Sequence, residues 1–363
     1  LEFRRVLFRS PYAHFWFEAF DRLYGRMPLT DGYYSHDEIV GARSPSTDTD
    51  RFKQAFEAMT GHSASAVQDN PSVAYQLLEA KLQVTADLAW LSRVVGAAHA
   101  PDMVANCSIS PMAMASHSSA VLDLPDTISG LGATAPDVYH YGEPKLYVKS
   151  LGCMAILWSA TEFGQLSEPS FYGGQLSNAY YEAFPEQVFG AISGGARKFE
   201  VFAYGTTSFE TNGRQDKRFA EIATRTTADA GRIGRTLNHY SRSRARVAML
   251  YPQTAYMWIS LGHDFNDDYL KLVGTSKQYI GLGGAVRAQF DLLRKMFGHV
   301  DVLFDKQIQR GDLRNYDVCV VGYARQVQEH TLRELARFAE GGGTLLVSTD
   351  SGHRDENNGP TKA

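Results

Sequence analysis

The sequence predicts an α/β fold: a partial (β/α)8 barrel made of the C-terminal strands of that fold, followed by a smaller, doubly wound α/β unit. Three observations carry this prediction. Short β-type runs alternate with helical patterns up to about residue 240, the mark of a parallel sheet with helical crossovers. The run CMAILWSATE (153–162) is almost wholly apolar, as a strand buried on both faces would be. At 241–246 the composition shifts to SRSRAR, and a new strand–helix–strand series begins beyond it.

Residues 11–24 have helical spacing, with Phe15, Phe20, Leu23 and Tyr24 on overlapping faces. MPLTDGYYSHDE then reads as a strand running into a loop, GARSPSTDTD as a loop, and DRFKQAFEAMTG as a helix stopped by Gly61. The longest helical pattern covers 72–97, where Val73, Leu77, Leu78, Leu82, Leu88, Leu91 and Val95 recur mainly every three or four positions. Strands are expected at 102–110, 137–142, 153–162 and 198–204, with a short helix or loop at SSAVLDLPDTISGL and helices at 184–196 and 219–240. Counting the strand at 29–35, that makes five strands where a complete barrel has eight.

Beyond the linker, RVAMLYP, VDVLFD, YDVCVVGYA and GTLLVST read as strands. AVRAQFDLLRKMFG and HTLRELARFAEGG read as helices, and the segment from TAYMW to SKQYI reads as irregular. Strand–helix–strand with right-handed crossovers builds a doubly wound sheet. The expected divisions are therefore 11–240, a linker at 241–246, and 247–363. Residues 1–10 (LEFRRVLFRS) have no fold logic and read as a sequencing-adapter scar. Three front βα units are expected to be missing, so the chain is expected to be a fragment, with a cytoplasmic and a secreted location both open.

Composition removes several function classes. Lys and Arg total 36 against 40 Asp and Glu, so no basic excess points to nucleic acid. No apolar run approaches the ~20 residues of a membrane span. The cysteines, Cys107, Cys153 and Cys319, are too few and too scattered for a disulfide framework or a zinc cluster and read as small core residues. GLGGAV (281–286) lacks the spacing of a dinucleotide loop and reads as a helix start.

The chemistry sits in two segments, YYSHDE (33–38) and LWSATEFG (157–164), each read as a strand that stops on a glutamate. Barrels place their reacting groups at the carboxyl ends of strands. Two carboxylates facing across such a mouth can cleave a glycosidic bond, one protonating the leaving oxygen and the other attacking the anomeric carbon. Glu38 is read as the acid/base and Glu162 as the nucleophile. Burying a carboxylate costs several kcal/mol unless it is paired or used, which separates these two from solvated surface acids. Asn106, at the end of MVAN, is read as a contact to a sugar hydroxyl or as a turn cap. Tyr139 and His140 end another strand and are read as lining the cleft, with His140 read alternatively as a satisfied polar group at the strand edge. Trp158 and Tyr204 are either a stacking face for a sugar ring or core, and Glu210 either reaches a hydroxyl or is a solvated loop acid. No metal or organic cofactor is called for. The rival reading is a non-catalytic carbohydrate-binding or assembly protein.

These segments resemble glycoside hydrolase family 42, β-galactosidase-like enzymes of clan A. DGYYSHDEIV looks like the acid/base half of the barrel. MAILWSATEFGQL with FPEQVFGAISGGARKFEVFAYG looks like its seventh and eighth strands. YDVCVVGYARQVQEHTLRELARFAEGGGTLLVST is similar to the family's trimerisation domain, which has a glutamine-amidotransferase-like fold. The resemblance implies a retaining β-galactosidase with Glu38 as acid/base and Glu162 as nucleophile, a β-galactoside or oligosaccharide substrate, and a homotrimer. It departs from the family in Asp37, where the family carries Asn, in the absent cysteine cluster, and in FAYG on the eighth strand.

Overall fold

A computed structural model describes residues 11–26, 32–36, 50–68, 70–100, 104–109, 125–126, 133–138, 152, 155–156, 158–159, 168–173, 183–196, 198–201, 217–237, 243–260 and 281–361. Two parallel sheets organise them.

The first sheet contains β1 (Gly32–His36), β2 (Val104–Ile109), β3 (Ala133–Val138), β4 (Glu168–Gly173) and β5 (Lys198–Val201). They lie side by side in chain order, every neighbouring pair parallel. This sequential order, with helical crossovers, is an arc of a (β/α)8 barrel. Helix α1 (Pro11–Gly25) precedes β1; α2 (Asp50–Thr60) and α3 (Pro71–His99) fill the β1–β2 crossover; α4 (Ala183–Ser193) joins β4 to β5; and α5 (Lys217–Leu237) follows β5.

Local chemistry sets several of these limits. Asn70 caps α3 by accepting from the backbone N–H groups of Ser72 and Val73 at 3.1 and 3.4 Å, and Pro71 stands in the first turn, where no N–H is needed. Gly61, at φ +71°, ends α2 in the left-handed conformation that glycine adopts without strain, as expected.

The second sheet has the order β7-β6-β8-β9, from β6 (Val247–Leu250), β7 (Asp301–Leu303), β8 (Val318–Val321) and β9 (Thr344–Val347), again all parallel. The chain moves from β6 to one side and then returns to the other, which makes this sheet doubly wound. Its helices are α6 (Gln253–Ser260), α7 (Gly281–Phe297), α8 (Asp305–Gln309) and α9 (Glu329–Glu340). Helix α7 begins on the glycines of GLGGAV, so that segment is the helix start it was read as.

Three expectations change. The run at 153–162 is not the fourth strand: its described residues Ala155, Ile156, Trp158 and Ser159 are helical, and β4 lies later, at EPSFYG. The third strand sits at 133–138 rather than 137–142. The segment after β6, read as irregular, opens with helix α6.

Packing explains the first of these. Ile156 and Trp158 are 0% and 3% exposed, and the two fall in different cores. Ile156 joins a core that runs from Tyr75, Leu78 and Leu82 of α3 to Met249, Trp258, Phe290 and Phe304 around the second sheet. Trp158 packs with Ala248, Leu250, Leu303 and Cys319. The Ser159 hydroxyl accepts from Val302 N–H at 3.2 Å, and its carbonyl accepts from the Gln307 amide at 2.7 Å. An apolar run buried on every side satisfies this position as a helix as well as a strand would. Along β6, residues alternate between the two cores, Val247 and Met249 on one face and Ala248 and Leu250 on the other, so that strand is buried on both sides.

Candidate active site

In the parallel first sheet the carboxyl ends of all five strands share one edge, the edge where a barrel carries its chemistry. The chain leaves that edge after His36, Ile109, Val138, Gly173 and Val201. Register irregularity between Tyr34 and His36 marks the end of β1, a position where bulges re-aim the backbone.

The sequence-derived candidates fall as follows. Glu38 comes two positions after the last residue of β1, and it lies outside the described residues, as do Glu162, Tyr139, His140, Tyr204 and Glu210. Asn106 does not end its strand. It is the third residue of β2, in register with Tyr34 of β1, which removes the turn-capping reading. Trp158 is core: it is 3% exposed, and its ring lies 3.0 Å from where a Cβ on Gly195 would stand. Gly195, at φ +107°, is therefore held to glycine both by its backbone and by this ring. Trp158 offers no stacking face for a sugar.

The strand under Glu162 needs correcting too. The described residues just before it are helical, and the fourth strand ends instead at Gly173. Gly174 and Gln175 follow, and the next acidic residue in the chain is Glu182.

The register also brings together a row that reading by strand ends passed over. Asp137, Tyr172 and Glu200 pair laterally across β3, β4 and β5, each one residue before the end of its strand. Two strand spacings separate Asp137 from Glu200, roughly 9–10 Å between their backbones. The available signal was an acid one position inside the end of two short strands, APDV and FEV. Among the described residues, no group of three or more His, Cys, Asp or Glu side chains is placed to hold a metal ion, and no helix is long and apolar enough to cross a membrane.

No family model and no curated protein matches the sequence. Solved structures do match the fold. A β-galactosidase from Bacillus circulans sp. alkalophilus superposes with a TM-score of 0.69 at 13% identity, covering 98% of this chain and 57% of that one. A cold-adapted β-galactosidase from Rahnella sp. R3 gives 0.71 at 13% identity, with 96% and 56% covered. An exo-carrageenase of family 42 from Bacteroides ovatus gives 0.58 at 12% identity, with 100% and 47% covered. The chain thus spans about half the length of the solved structures it matches. It has the fold of part of the glycoside hydrolase family 42 β-galactosidases: an arc of the barrel and the doubly wound unit that follows it.

Proposed function

We propose that this chain is part of a retaining glycoside hydrolase that cleaves a β-linked sugar, with β-galactosides as the first substrates to test. The observation that carries the reading is the shared carboxyl edge of five sequential parallel strands, with Glu38 two positions past the first of them. In this scheme Glu38 gives its proton to the leaving oxygen while the Glu162 carboxylate attacks the anomeric carbon and forms a glycosyl ester. Glu38, now ionised, takes a proton from water, which cleaves that ester and restores both groups. The divisions at 11–240 and 247–363 and a homotrimer joined through the doubly wound unit belong to the same proposal.

The test uses the full-length gene and a panel of aryl β-glycosides. Glu38→Ala should cut kcat/KM by about 10²–10⁴-fold on poor leaving groups, the usual worth of a general acid. Glu162→Ala should remove at least about a thousandfold. Turnover unaffected by Glu162→Ala refutes the nucleophile, and the register row then makes Glu200 and Asp137 the next residues to replace.

A second reading has its own support. Gly173, Gly174 and Gln175 leave the end of the fourth strand without an acid, as expected of a sugar-binding scaffold that has lost its chemistry. Binding of sugars without turnover of any aryl glycoside by the intact protein would favour it.

A further inference from the structure

Away from the barrel edge, a cavity of about 360 Å³ lies where α3 covers the carboxyl ends of the second sheet. Its walls come from both units: Glu79 and Gln83 of α3, Gln253 and Met257 of α6, Asp305 at the start of α8, and Gln328 after β8. The strand order reverses at β6, between β7 and β8, and in doubly wound sheets the crevice outside the carboxyl ends at such a reversal is where ligands bind.

The walls are held in place before anything enters. The Gln309 side-chain amide donates to Gln328 Oε1 at 2.6 Å and to Thr331 Oγ1 at 3.0 Å. Gln328 donates in turn to the Tyr75 hydroxyl at 2.9 Å, across the seam. Asp305, 5% exposed, accepts from Thr331 at 2.7 Å and from Thr254 at 3.4 Å. A network of this kind fixes rotamers, so that little side-chain freedom remains to be lost on binding.

The chemistry of the lining selects the ligand class. Amides offer a donor and an acceptor side by side, as a sugar hydroxyl does, and carboxylates accept from hydroxyls. Met257 and Leu82, 2% and 3% exposed, close the cavity on its apolar side. Among the described residues of the lining the one cation, Lys306, is held by Asp126 at 2.6 Å, so an anionic ligand would face the carboxylates of Glu79 and Asp305 instead. The volume lies in the range of small-molecule sites, ~300–1,000 Å³.

The geometry points to a second carbohydrate site in this seam, one that takes a neutral mono- or disaccharide and does not depend on Glu38 or Glu162. The test is calorimetric titration of the full chain with galactose and with a non-hydrolysable thiogalactoside. Two variants are compared with the parent: Gln83→Leu/Gln253→Leu and Glu38→Gln/Glu162→Gln, each checked by far-UV circular dichroism. A binding event that weakens roughly tenfold or more in the seam variant and persists in the glutamate variant is the expected result. Should the seam variant not fold, Ala80→Phe, which narrows the same cavity from α3, takes its place. An isotherm unchanged by the seam substitution overturns the proposal. So does the absence of heat with either sugar, or binding at the seam of inorganic phosphate or spermidine in their stead.

Discussion

Asp301 is a buried carboxylate whose work is structural, and its replacement has a calculable cost. It is 0% exposed, at the start of β7, and its Oδ2 accepts from Ala245 N–H at 2.8 Å and from the Tyr316 hydroxyl at 3.2 Å. It thereby ties the segment leading into β6 to the loop leading into β8. Arg246 reinforces the same junction: its carbonyl accepts from Asp317 N–H at 2.9 Å and its guanidinium pairs with the Asp317 carboxylate. In Asp301→Ala both donors stay buried without their acceptor. Each unsatisfied donor costs about 1–3 kcal/mol and bonds to a charged acceptor are the stronger kind, so the change should cost about 3–5 kcal/mol. Tyr316→Phe removes one donor but leaves the carboxylate its bond to Ala245, and should cost about 1–2 kcal/mol. Because the two residues share a bond, their effects should not add: the double variant should fall short of the sum by about 1 kcal/mol or more. Urea unfolding of the four proteins measures all three quantities. A cost below about 1 kcal/mol for Asp301→Ala, or strict additivity with Tyr316→Phe, would show that the carboxylate does not hold this junction and would falsify the argument.

Alkaline pH should weaken the fold. Burial first, and then the charge of Asp301, raises the Tyr316 pKa; burial and the charges of Glu79 and Asp305 raise that of Tyr75. The folded chain therefore keeps protons that unfolded tyrosines release near pH ~10. This contribution is complete below pH ~10 and declines above it, by up to about 1.4 kcal/mol per pH unit for each group. Unfolding midpoints taken between about pH 8 and 11 should fall, and less steeply in Tyr316→Phe; a flat profile refutes the assignment. Cys319 is 0% exposed and its thiol is pushed up to about 12 by burial. In a Cys107→Ser/Cys153→Ser background it should resist a disulfide reagent at pH 8 until urea unfolds the chain, and rapid labelling of the native protein would contradict that burial.

Much of the architecture was legible because backbone preferences and burial patterns are written locally. The 3–4 spacing of α3, the glycine stop after α2, and the four valine-bearing strands of the second sheet each appear where the residues put them. The strand–helix alternation sufficed for two parallel sheets. The run at 153–162 misled for a definite reason: continuous apolarity reports burial, and a buried helix and a buried strand both produce it. EPSFYG, with a proline and little apolar content, carries no strong strand signal and becomes β4 through its pairing with β3 and β5.

Within this chain, then, the order of residues by itself determined which segments are buried and how the chain alternates, since hydrophobic periodicity and capping act over a few positions. Only the tertiary structure decided that Trp158 lies in the core, that Asp137, Tyr172 and Glu200 stand in one row, and that α3 roofs the second sheet over a cavity. Those facts depend on strand register and on contacts between residues as far apart as Tyr75 and Gln328, and no local pattern encodes the meeting of such distant positions.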